Sequence, residues 1–180
     1  ICYIGCGVTT GVGAVVNTAK VQVGDTVVVF GLGGIGLNVI QGARLVGADK
    51  IIGVDINDDK ATWGKMFGMT HFVNPTKIDG DIVSHLVELT DGGAPHVLEC
   101  VGTAQATETA IAVCRPRGTV GHVGVPAEAV TLMDVYNRNI TLRGGVAPVR
   151  AYIPELLEDV LAGRIDPSHA VPYCYRLVTP

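Results

Sequence analysis

The stretch from Thr26 to Asp55 constrains this chain most. It reads Thr26-Val27-Val28-Val29-Phe30, then Gly31-Leu32-Gly33-Gly34-Ile35-Gly36, then a helical run, then Ile51-Ile52-Gly53-Val54-Asp55. β-branched residues favour extended structure, and an uninterrupted apolar run suits a strand covered on both faces. A Gly-x-Gly-x-x-Gly turn between such a strand and a helix, followed by a second buried strand ending in an acid, predicts a dinucleotide-binding βαβ unit. Asp55 stands nineteen residues past Gly36, the spacing at which an acid meets the adenosine ribose.

Each residue of the turn has a physical task. Gly31 permits the sharp exit from the strand, Gly33 lets a pyrophosphate approach the backbone, and Gly36 lets helix and sheet pack closely. The helix that starts at Gly34 and Ile35 offers free N–H groups and a partial positive charge to phosphate. Asp55 would accept hydrogen bonds from the ribose hydroxyls. It would repel a 2′-phosphate, with Asp58 and Asp59 nearby, so NAD is expected over NADP. Lys60 could reach back to the ribose or pair with a neighbouring acid.

The rest of the chain alternates predicted helices and strands. Helices are expected at Thr9–Ala19 (with Thr9 or Thr10 as N-cap), 34–47, Asp58–Phe67, Ile78–Leu89, Thr103–Val113 and Ile153–Leu161. Strands are expected at Thr26–Phe30, Lys50–Val54, His71–Val73, His96–Cys100, Thr119–Val123 and Asn139–Arg143. Alternation of this kind means a parallel sheet with right-handed crossovers. The expected fold is a doubly wound α/β sheet of six parallel strands, a Rossmann fold in the order 3-2-1-4-5-6, with ligands outside the carboxyl ends of the strands. Those ends carry Val101 and Gly102, then Val123, Gly124 and Val125, then Gly145 and Val146. Small residues there suit a flat cofactor.

Composition removes several function classes. The 180 residues carry a net charge of −4 and no basic stripe, which argues against nucleic acid. No apolar run reaches the ~20 residues that span a membrane. Five cysteines, odd in number and without a CxxC pair, read as reduced thiols in a cytoplasmic protein. The five histidines, His71, His85, His96, His122 and His169, lack ligand spacing and read as surface or satisfied core residues. Glu99 ends an apolar strand near the cleft, where it could bond either the cofactor or a backbone amide. Ile1 is not a methionine, and no basic segment precedes an apolar stretch, so no signal peptide is expected. The beginning and the end at Pro180 both predict a piece of a longer protein.

Three segments carry a family resemblance: Gly5-Cys6-Gly7-Val8-Thr9-Thr10-Gly11-Val12-Gly13-Ala14, Val29 to Gly36, and Ile51 to Asn57. They resemble zinc-dependent medium-chain alcohol dehydrogenases, and the first looks most like the glutathione-dependent formaldehyde dehydrogenase branch. Val123-Gly124-Val125-Pro126 follows in family order, and the resemblance covers nearly the whole chain. It implies that Cys6 is a ligand of the catalytic zinc and that Thr10, the catalytic candidate, packs behind the nicotinamide. It implies a ribose contact for Lys60, adenine and ribose contacts for Val101 and Gly102, and backbone contacts from Val123 and Val125 to the carboxamide. It also implies a homodimer through the edge strand 139–143. By the same resemblance, the other zinc ligands, the structural zinc lobe and the proton relay belong to an N-terminal domain outside this sequence. Zinc is therefore expected in the full-length parent and not in this chain, whereas NAD is expected here.

The domain plan follows: 1–20 as a segment and helix leading from the catalytic domain, 21–147 as the NAD-binding domain, and 148–180 as a helix and return segment. That last helix is expected to dock on the sheet domain or a neighbouring chain, with 171–180 poorly anchored. The leading expectation is an oxidoreductase whose parent moves a hydride between a small alcohol or aldehyde and NAD. The isolated chain is then an NAD-binding module without catalysis. A zinc-free quinone or enoyl reductase is the alternative, against which Asp55 and Cys6 both count.

Overall fold

The computed structural model describes residues 2–126 and 129–168. The strands are β1 (Thr26–Phe30), β2 (Lys50–Val54), β3 (His71–Val73), β4 (Ala94–Glu99), β5 (Cys114–His122) and β6 (Thr141–Gly144). They form one six-stranded sheet in the order β3-β2-β1-β4-β5-β6, with every pairing parallel. This is the expected doubly wound order, and β1 sits at its centre.

The period-two alternation of a strand explains why both sheet faces are apolar. Val27 and Val29 belong to one buried cluster with Ile51, Leu98, Leu37, Ile40 and Val15. Val28 and Phe30 belong to a second with Ile52, Val97, Val120, Leu86 and Ile111. Val27, Val28 and Val29 are each 0% exposed, and full burial of such a side chain contributes about 1.5–3 kcal/mol. That burial is why β1 is apolar from Val27 to Phe30, with its one polar residue, Thr26, at the half-buried start.

The helices are α1 (Gly7–Gly13), α2 (Gly34–Leu45), α3 (Lys60–Phe67), α4 (Ile82–Leu89), α5 (Ala104–Val113), α6 (Met133–Asn137) and α7 (Val149–Leu161). Several boundaries differ from the sequence reading. The first helix starts at Gly7 with Cys6 as N-cap, so neither Thr9 nor Thr10 caps it. It continues as π-helix over Ala14–Ala19. The Thr9 hydroxyl donates instead to the Ile4 carbonyl, a bond internal to this segment. α4 begins at Ile82 and not Ile78, because Asp81 is its N-cap and accepts from the Ser84 N–H at 2.9 Å. β5 starts at Cys114, with an irregular register between Ala94 and His96 of β4. The edge strand is Thr141–Gly144, so Asn139 and Ile140 precede it. Helix α7 starts at Val149 and carries Pro154 inside it.

Helix α7 docks through Leu156, which with Ile165 joins Ile4, Val8 and Val12 in a third apolar cluster. It thus covers α1, on the flank of the sheet. Gln41 of α2 fastens the segment that follows: its amide donates to the Asp166 carbonyl at 2.9 Å and accepts from the Asp166 N–H at 2.8 Å. His169 and the expected loose tail at 171–180 lie outside the described residues.

Candidate functional site

The turn after β1 has the geometry that its glycines predict. Gly31 has φ +83°, a region that only glycine enters freely. A Cβ on Gly36 would lie 1.8 Å from the Gly31 carbonyl oxygen, whereas a Cβ on Gly33 would meet nothing within 4 Å. The first contact locks helix to strand, and the second leaves an open backbone face. Gly33 is the N-cap of α2 and supplies no side-chain acceptor, so the first-turn N–H groups lack the usual cap. The Gly34 carbonyl accepts from the Tyr3 hydroxyl and from the Asn38 side chain, each at 2.7 Å. Asn38 is wholly buried; its amide also donates to the Tyr3 hydroxyl at 3.1 Å and its Oδ1 accepts from Gln41 at 3.3 Å, which satisfies it while fixing the start of α2.

Asp55 stands at the rim of this turn. Its Oδ2 accepts from the Leu32 N–H at 2.8 Å, and its Oδ1 from the Asn57 N–H at 2.9 Å. Each carboxylate oxygen has two acceptor sites, so each keeps one for a further donor. Asp58, one turn on, is committed elsewhere. The Lys77 ammonium and the Asn74 amide bond it and hold its carboxyl below the usual range. Lys60 is the first residue of α3 and does not line the cleft described next.

Two cavities open along the carboxyl ends of the strands. The larger, about 620 Å³, runs over Gly31, Asp55, Ile56, Thr76, Ile82, Cys100, Val101 and Thr103. The smaller, about 190 Å³, is lined by Thr10, Thr18, His122, Val123, Gly145, Val146 and Tyr152. The structure therefore splits the expected residues into two groups. Asp55 and Val101 face one cavity, while Thr10, Val123, Gly145 and Val146 face the other. Large apolar side chains are exposed here, with Ile56 at 72%, Val125 at 85% and Val146 at 99%. Gly102 and Gly124 touch across the gap between the cavities, since a Cβ on Gly124 would lie 2.3 Å from the Gly102 nitrogen.

Cys6 is exposed and free, one helical turn ahead of Thr10, whose N–H donates to the Cys6 carbonyl at 2.8 Å. No group of three or more His, Cys, Asp or Glu among the described residues could hold a metal ion. A catalytic zinc takes three protein ligands, so the described residues do not fit a zinc centre by themselves. Cys6 is one donor of such a set. Cys100 and Cys114 are inert by comparison: burial pushes both thiols up, Cys114 to about 11.

Sequence reasoning missed several lining residues. Ile56 was visible as an apolar residue straight after the acid that ends β2. Ile82, Thr76 and Tyr152 are brought in by tertiary folding and carry no local signal. His122 is more than a satisfied core histidine. It lines the smaller cavity, its Nε2 is 3.1 Å from the Thr107 hydroxyl, and the same nitrogen is 3.5 Å from the buried Glu99 carboxylate. His96 does pair structurally, with Asp25 at 2.9 Å on the opposite end of the strands.

The chain is similar to known proteins over most of its length. The sequence model described as "Zinc-binding dehydrogenase" matches residues 34–162. The chain is 61% identical over 179 residues to an alcohol dehydrogenase class-3 of Cereibacter sphaeroides, covering 92% of this chain and 48% of that protein. It is 44% identical over 180 residues to an S-(hydroxymethyl)glutathione dehydrogenase of Paracoccus denitrificans, covering 92% and 48%. Among solved structures, it superimposes on an alcohol dehydrogenase of Thermus sp. ATN1 with a TM-score of 0.84 at 29% identity, covering 92% of this chain and 48% of that one. A benzyl alcohol dehydrogenase of Acinetobacter calcoaceticus gives 0.82 at 30% identity, covering 91% and 47%. The chain spans about half the length of the curated relatives it matches. With the family match over most of the chain and the same doubly wound sheet, this chain belongs to the zinc-binding dehydrogenase family.

Proposed function

We propose that this chain is the NAD-binding part of a zinc-dependent alcohol dehydrogenase. One observation carries the reading: the turn at Gly31–Gly36 is locked against β1, is open at Gly33, and has the Asp55 carboxylate fixed at its rim by the Leu32 N–H. The pyrophosphate would lie over Gly33 and the first N–H groups of α2, where the helix dipole favours negative charge. Asp55 would accept from the adenosine ribose hydroxyls through its remaining acceptor sites. Ile56, Ile82 and Val101 would sandwich the adenine in the larger cavity. Thr10, Val123 and Val146 would border the nicotinamide in the smaller one.

When bound, NAD supplies the hydride acceptor. The residues of this chain bind and orient it, and Cys6 would add one thiolate to a zinc site whose other ligands come from beyond these residues. The names of the relatives, an alcohol dehydrogenase and an S-(hydroxymethyl)glutathione dehydrogenase, support an alcohol as the parent's substrate. The edge of β6, unpaired among the described residues, supports a homodimer that continues the sheet across a two-fold axis.

The test is a fluorescence titration of the chain with NADH and with NADPH. We expect NADH to bind at least about tenfold more tightly, since a 2′-phosphate against Asp55 costs on the scale of a close like-charge contact. Failure to bind either nucleotide overturns the reading. Tighter binding of NADPH would favour a zinc-free quinone or enoyl reductase instead.

A further inference from the structure

Glu99 ends β4 with its side chain 0% exposed. Its Oε1 accepts from the Val101 N–H at 2.7 Å and from the Gly102 N–H at 2.9 Å. Its main-chain carbonyl accepts from the Val123 N–H at 2.8 Å and the Gly124 N–H at 2.9 Å. One residue therefore ties two turns that are 22 residues apart in sequence by Val101 and Val123 numbering. The second carboxylate oxygen, Oε2, has no hydrogen-bond partner among the described residues. It is 3.5 Å from His122 Nε2, beyond good hydrogen-bond geometry.

A buried carboxylate is expensive unless it is well bonded, and an orphaned buried oxygen adds to that cost. An apolar residue at the end of β4 would avoid the cost and keep the main-chain bonds to Val123 and Gly124, but it would leave the Val101 and Gly102 amides without their acceptor. The two turns it joins also belong to different cavities: Val101 lines the larger and Val123 the smaller. Between them the backbones meet directly. A Cβ on Gly102 would lie 2.4 Å from the Val125 carbonyl oxygen, and one on Gly124 would lie 2.7 Å from Glu99 Oε2.

We propose that Glu99 is a positioning residue for the cofactor: its carboxylate fixes the Val101–Gly102 turn relative to the Val123–Gly124 turn that its main-chain carbonyl holds, and so sets the distance between the adenosine and nicotinamide ends of the cleft. This inference rests on the NAD-binding reading above. A ligand that fills only the adenosine end, such as AMP, does not depend on that distance. The whole dinucleotide does.

The test compares NADH and AMP binding in the wild-type chain, Glu99→Asp and Glu99→Gln. Glu99→Asp keeps the charge but withdraws the carboxylate by one methylene. NADH should weaken about tenfold or more, the scale of a buried amide left unbonded, and AMP, which senses only the Val101 side of the change, should weaken less. Glu99→Gln keeps an accepting oxygen for both amides and offers His122 a donor, so it should bind NADH like wild type within about threefold, a shift smaller than one lost hydrogen bond. A role confined to stability would lower the melting temperature and leave the NADH-to-AMP ratio alone. An unmoved ratio in a folded Glu99→Asp overturns the proposal, as does a loss in Glu99→Gln equal to that in Glu99→Asp. Should Glu99→Asp not fold, hydrogen exchange on the free wild-type chain decides. The Val101 and Gly102 amides should be protected, and rapid exchange there overturns the proposal. If wild type binds no NADH, the cofactor reading and this inference fall together. Normal wild-type binding with an unmoved ratio removes this inference alone.

Discussion

Gly36 lies so close to Gly31 that a Cβ on Gly36 would sit 1.8 Å from the Gly31 carbonyl oxygen. The obstacle is backbone, so no rotamer change can relieve it. Gly36→Ala should therefore lose about 1–3 kcal/mol of stability through overpacking and should also weaken NADH. Gly33→Ala makes the contrast, because its Cβ would meet nothing within 4 Å. It should leave stability within about 0.5 kcal/mol while weakening NADH, since the new methyl occupies the space assigned to the pyrophosphate. Urea unfolding and NADH titration of both variants check the pair. Equal NADH affinity in Gly33→Ala and wild type would contradict the assignment.

Asp55 joins the turn to the ribose-facing rim through its bonds to Leu32 and Asn57. Asp55→Asn removes the negative charge and one of the acceptors. NADH should weaken by about tenfold, the scale of a charged hydrogen bond lost, and NADPH should weaken less or improve. The ratio of the two dissociation constants is the measurement. Asp58 should not rescue the preference, because Lys77 and Asn74 already engage its carboxylate.

The central sheet was legible because its signals are local. Val27 to Phe30 and Ile51 to Val54 are apolar without interruption, and glycine and an acid follow them at the required spacing. The start of α4 was misread for an equally physical reason. Ile78 fits the helical stripe of Ile82, Leu86 and Leu89, but the stripe says nothing about where the first N–H groups find a cap. Asp81 supplies that cap and sets the boundary. Residues of the site behave the same way. Asp55 and the glycines announce themselves within one βαβ unit, whereas Ile82, Tyr152 and His122 reach the cavities only after the helices have packed on the sheet. For Glu99 the sequence left two partners open, and the structure selects the backbone amides.

The cysteines should separate by reactivity. Cys6 is exposed, whereas burial raises the thiols of Cys100 and Cys114, the latter to about 11 despite Arg138 and Arg115 nearby. The thiolate is the reacting species, so at about pH 8 only about one Cys114 in a thousand would be ionised. Brief treatment with iodoacetamide followed by peptide mapping should modify Cys6 and spare Cys100 and Cys114. Early modification of Cys114 would mean that β5 and Arg138 do not shield it as described.

Asp81 gives a pH test of the fold. Its carboxylate accepts from the Ser84 N–H and, at 2.8 Å, from the Ser84 hydroxyl, and these bonds hold its pKa below the usual carboxylate value. A depressed folded-state pKa means that folding favours the ionised cap. Its contribution is therefore complete above the unfolded pKa of about 3.9 and fades as pH falls through the lower folded value. The urea midpoint of Asp81→Ala should lie below that of wild type by a constant gap between about pH 5 and 7. The gap should narrow below about pH 4, where the wild-type cap protonates. Asp81→Asn retains an accepting oxygen without a titrating proton, so its own midpoint should show no such cap-linked fall. A gap between wild type and Asp81→Ala that persists unchanged to about pH 2.5, with both chains still folded, would show that the ionised carboxylate is not what starts α4.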